Sequence, residues 1–171
     1  MDQGGHDDHE GGDRCNPPSF DAYATIELPG DWQQEQGEHD AALVDLLVAH
    51  SRSQSWWLRY LDTGADDIVF SDVPKLSLYA GWSYVLVQAG PDQAMRWRKG
   101  DTGTFWKGAL PDLMFPTDRS WLSSTLWDDD WTCVGGAAVL IDELLQHPVL
   151  GARSRAVVVG EDATPPGHRA I

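Results

Sequence analysis

Two short runs hold the side chains best equipped for chemistry. Leu61-Asp62-Thr63-Gly64-Ala65-Asp66-Asp67 sets a carboxylate, a hydroxyl and a glycine in succession between two apolar stretches. A carboxylate so placed can act as acid or base if its neighbours set its protonation. The alternative is a plain turn, since Asp and Gly both favour chain reversals. Trp127-Asp128-Asp129-Asp130-Trp131 places three carboxylates between two indoles. Consecutive strand residues point to opposite faces, so three adjacent acids seldom converge on one cation, and the spaced pattern of a calcium loop is absent. With Trp121 nearby, the run reads as an aromatic binding face with polar neighbours: Trp121, Trp127, Asp128, Asp129, Asp130 and Trp131.

Other groups add little. His6, Asp7, Asp8, His9 and Glu10 could chelate a divalent ion, but such tracts also serve as solvated tails, and no metal site or cofactor is assigned. Cys133 has no neighbouring His, and no G-x-S-x-G elbow appears. Gly135-Gly136 lacks the rest of a phosphate-binding loop and reads as the break that starts a helix. Cys15 and Cys133 read as two thiols rather than a bridge.

The Asp62-Thr63-Gly64 run resembles the active-site loop of retropepsin-type aspartic proteases. That resemblance implies a homodimer in which Asp62 and its symmetry mate share a proton and activate a water. Thr63 would brace the paired loop and Gly64 would allow the tight turn. Cys133-Val134-Gly135 stands where such a fold carries a second loop before a helix. The chain departs from the family elsewhere: it offers only Tyr79-Ala80-Gly81-Trp82 for a flap, and a helix pattern at 38–50 where hairpins are expected. A second likeness covers the C-terminal third. Phe115-Pro116-Thr117-Asp118-Arg119-Ser120-Trp121, then Thr132-Cys133-Val134-Gly135-Gly136, is similar to a group of small acidic actinobacterial proteins with no assigned activity. It implies a bacterial, cytoplasmic origin and names no catalytic residue.

The elements that must position these residues follow from periodicity. Glu38–His50 is the clearest helix, with Leu43, Leu47 and Val44, Val48 at i, i+4. Gly136–His147 is the second, with Ile141, Leu144 and Leu145 on one face and Pro148 as its stop. Pro91–Arg98 reads as a short helix. Strand patterns occupy Ala22–Leu28, Trp56–Leu61, Ile68–Phe70, Leu76–Ala80, Tyr84–Ala89, Phe105–Trp106, Trp121–Trp127 and Arg155–Val159. Helices among short strands predict one α+β domain with a largely antiparallel sheet and two main helices, at residues 20–160. Residues 1–19 read as a disordered acidic tail and 161–171 as a polar C-terminal tail.

Charge then narrows the function. The chain has 171 residues, 27 acidic and 12 basic, for a net charge of −15. The first 19 residues hold −4 of this, so the rest of the chain, residues 20–171, retains −11. That excludes a generic nucleic-acid binder, which needs a basic stripe, and disfavours anionic membranes. No apolar run approaches a membrane span, and no secretory signal is visible at the N-terminus. Nine Trp exceed what a core of this size uses as filler, so about half are expected in the core and the rest on a face. The leading expectation is a non-enzymatic, immunity-like protein binding a basic protein partner. The alternatives are the Asp62 peptidase and a small-ligand or carbohydrate-binding domain using exposed Trp. Oligomeric state stays open.

Overall fold

The computed structural model describes residues 20–30, 33–52, 55–62, 72–78, 81–98, 110–126 and 129–168. Its elements run β1 (Ala22–Glu27), α1 (Gln33–Ala49), β2 (Trp56–Leu61), β3 (Leu76–Leu78), β4 (Trp82–Ala89) and α2 (Pro91–Ala94). Then come β5 (Leu113–Pro116), β6 (Leu122–Ser124), β7 (Trp131–Gly136), α3 (Ala138–Gln146), a 3-10 turn at Gly151–Arg153 and β8 (Ser154–Val157). The eight strands form one sheet in the order β3-β4-β2-β5-β6-β7-β1-β8, and every neighbouring pair is antiparallel. The chain is therefore an α+β domain, as its pattern predicts.

The sheet has two faces because alternate residues of each strand point opposite ways. One face carries Ala24, Ile26, Trp56, Leu58, Tyr60, Val85, Met114 and Val134. Leu43, Val44, Leu46 and Leu47 of α1 and Leu140, Ile141 and Leu144 of α3 close over it to make the main core. Burying one such Leu removes enough apolar surface to contribute about 2 kcal/mol. The other face has a smaller cluster of Tyr23, Cys133, Val157 and Ala163, with Phe20 against it. β7 is buried along its whole length because both faces of the sheet are covered there.

Three expectations change. Gly135-Gly136 does not break the chain before a helix: both glycines end β7, and α3 starts at Ala138. A Cβ on Gly135 would lie 2.7 Å from the rings of Phe20 and Tyr23, and one on Gly136 would lie 2.7 Å from Leu140 Cδ2. Close packing, not a turn, requires glycine here. Residues 161–168 are not a loose tail, because Ala163 and Pro165 are buried and the Arg155 guanidinium donates to the Ala163 and Thr164 carbonyls. α1 also begins well before Glu38, its first turns being polar. The expected strands at 68–70 and 105–106 and the tail at 1–19 lie outside the described residues.

Candidate interaction surface

The aromatic segment expected to bind does not form one surface. Trp121 is fully buried in the main core, edge-on to Trp56 at 4.8 Å, and its indole N–H donates to Ser51 Oγ at 3.1 Å. Trp131 is buried on the opposite face of the sheet, edge-on to the His168 ring at 5.9 Å. Asp129 is buried as well, while Asp130 is exposed, with its Oδ1 2.6 Å from His168 Nδ1. Trp127 and Asp128 lie outside the described residues. Trp121 and Trp131, expected on an exposed binding face, are thus both buried. Indoles take so much apolar area from water that the sheet absorbs them whenever it can satisfy their N–H. Among the described Trp, Trp82 is the exposed one, at 40 %, while Trp57 and Trp97 are half-buried.

Asp62 ends β2. Its backbone N–H donates to the Ser83 carbonyl and its carboxylate pairs with Lys75, which holds the strand end to the segment before β3. Thr63 and Gly64 lie outside the described residues. The run Pro116 to Trp121 also has a structural role. Asp118 Oδ1 accepts from both the backbone N–H and the hydroxyl of Ser120, Arg119 adopts a φ of 56°, and the chain reverses from β5 into β6. The turn delivers Trp121 to the core.

What the fold does expose is an acidic helix layer. α1 and α3 pack on the same face of the sheet, and neither contains a Lys or Arg. Glu35, Glu38 and Asp45 of α1 and Asp142 and Glu143 of α3 are exposed. Two are engaged: Arg153 Nη2 donates to Glu35 Oε2 at 3.0 Å, and His50 Nε2 lies 2.8 Å from Glu143 Oε2, tying the end of α1 to α3. Glu38, Asp45 and Asp142 have no cation in ion-pair range among the described residues. A cleft of about 320 Å³ opens between the end of α1 and the start of α3, with Val139, 54 % exposed, on its wall beside His50, Arg52 and Ser120.

A second, smaller pocket of about 30 Å³ lies under the first turns of α1, lined by Gln36, His39, Asp40, Arg98, Asp112, Thr125 and Thr132 among others. Arg98 Nη2 donates to Asp112 Oδ2 at 2.6 Å, and the same oxygen accepts the Leu61 backbone N–H at 2.7 Å. Gln36 Nε2 donates to Asp40 Oδ1 at 2.7 Å. Tyr60 packs beside this ion pair, and burial pushes its phenol far above its usual range, with Arg98 opposing and Asp112 adding to the shift.

Sequence reasoning missed both features. The signal for the acidic layer was the lack of any Lys or Arg in either helix pattern. The signal for the pocket was spacing. Gln36 and Asp40 precede Val44, and His39 precedes Leu43 and Leu47, at i, i+4 steps on the inward stripe. Among the described residues no group of three or more His, Cys, Asp or Glu could hold a metal, and no helix is long and apolar enough to cross a membrane. Comparison with known protein families, with curated proteins and with solved structures finds no match to this chain.

Proposed function

We propose that the protein is a non-enzymatic binding protein, immunity-like in kind, that covers a basic protein partner with its helix layer. The observation that carries this reading is the one-signed charge of α1 and α3: five exposed carboxylates and no Lys or Arg. Complementary charge speeds encounter and fixes the register of a complex. The cleft between the helices, walled in part by Val139, supplies the apolar centre that a stable interface needs inside a polar rim. Glu38, Asp45 and Asp142 are the residues expected to meet the partner's cations. The likeness to small acidic actinobacterial proteins, and a bacterial cytoplasmic setting, belong to the same proposal.

The test is affinity capture from the native host with two baits, wild type and a Glu38→Lys, Asp45→Lys, Asp142→Lys triple variant. All three sites are exposed, so the variant should fold. Wild type should retain a basic protein that salt releases, and the variant should associate with it at least ~10-fold more slowly. Identical retention by both baits, or no basic protein on either, would sink the reading.

A further inference from the structure

Gln36, His39 and Asp40 turn inward from α1, and all three are buried. They meet Arg98, Asp112, Thr125 and Thr132 around the small pocket of about 30 Å³. Many of the polar atoms here have partners: Gln36 with Asp40, Arg98 Nη2 with Asp112, and Thr125 Oγ1 with Thr132 Oγ1 at 2.7 Å. His39 Nδ1 lies 3.4 Å from Asp40 Oδ1, a long contact. Two nitrogens stand out. His39 Nε2 and Arg98 Nε are buried, in residues only 2 % and 5 % exposed, and have no hydrogen-bond partner among the described residues. Buried polar atoms in folded proteins nearly always find a partner, in protein or in ordered water.

We propose that this pocket is an internal hydration site, where one or two ordered waters bond His39 Nε2 and Arg98 Nε and join α1 to the sheet. Size selects water first. About 30 Å³ suits one or two waters, which need roughly 10–15 Å³ to begin with, and falls far short of an ordinary small-molecule site. Charge selects it again. An anion would sit against the Asp40 and Asp112 carboxylates, and a cation against the Arg98 guanidinium. Water satisfies both signs, accepting from a guanidinium N–H and either donating to or accepting from an imidazole nitrogen. The Thr125 and Thr132 hydroxyls, which can donate or accept, add further partners. This site stands apart from the partner reading above and does not depend on it.

The test is water-to-protein nuclear Overhauser measurement on the full, isotope-labelled chain. Contacts from long-lived water to the side-chain protons of His39 and Thr132 are expected, with no saturable shift on adding sodium formate or methylammonium chloride. Thr132→Val keeps the side-chain shape and removes a hydroxyl, so a folded variant should lose intensity in the His39 contacts; unchanged intensity there counts against the proposal. Absence of long-lived water in the wild-type pocket overturns it without any variant. Saturable shifts confined to the pocket with formate, or with methylammonium, also overturn it and make the pocket an ion site.

Discussion

One hydroxyl holds two indoles. Ser51 Oγ accepts from Trp56 Nε1 at 3.2 Å and Trp121 Nε1 at 3.1 Å, while donating to the Leu47 carbonyl at 2.7 Å. Both Trp are fully buried, so neither N–H can turn to solvent instead. Ser51→Ala should therefore cost on the order of 3 kcal/mol, since each buried donor left unpaired costs roughly 1–3. Urea unfolding reads this directly, and a loss under about 1 kcal/mol would contradict the arrangement. Tyr60 gives a pH signature. Its phenol is held protonated in the folded state by burial, with Arg98 opposing and Asp112 reinforcing, while the unfolded phenol ionises near pH 10. The folded chain then binds the extra proton, so this contribution is whole below about pH 10 and is lost as pH rises through the folded value. Tyr60→Phe should flatten the alkaline fall of stability relative to wild type, measured by denaturant melts across that range. None of this was legible in sequence. Ser51 looks like a loop residue, and burial of an aromatic depends on partners far along the chain.

Helices and strands with strong periodicity were legible, and those without it were not. β2 was expected with its full bounds, because aromatic and branched residues crowd six positions. The core of α1 was equally plain from Leu43 and Leu47, but its first turns carry polar residues, of which Gln36, His39 and Asp40 face inward. β5 and β7 were not read as strands. β5 is four residues ending in Pro116, and β7 is buried on both faces, so neither shows the alternation of a half-exposed strand. The two glycines of β7 then looked like a turn. Their place in the sheet yields a further expectation: Gly135→Ala should destabilise the fold by roughly 1–3 kcal/mol through overpacking against Phe20 and Tyr23. Thermal unfolding would show it, and an unchanged midpoint would mean the rings move aside freely.

At the scale of the molecule, net charge was legible as a number but not as a pattern. The exposed acids of α1 and α3 gather on one layer because both helices turn their apolar stripes to the same side of the sheet, leaving these carboxylates outward. The candidate binding residues proposed above lie on the helices rather than in the Trp121–Trp131 segment, whose described members Trp121, Asp129, Asp130 and Trp131 are divided between core, opposite face and surface. Strand order carries one more consequence. β1, the first strand, lies between β7 and β8, the last two, with Ala24 facing Val134 on one side and Ala156 on the other. During synthesis β1 leaves the ribosome long before either neighbour exists. The sheet cannot be completed until β7 and β8 have both been made, so a nascent chain stalled before β7 keeps both edges of β1 unzipped.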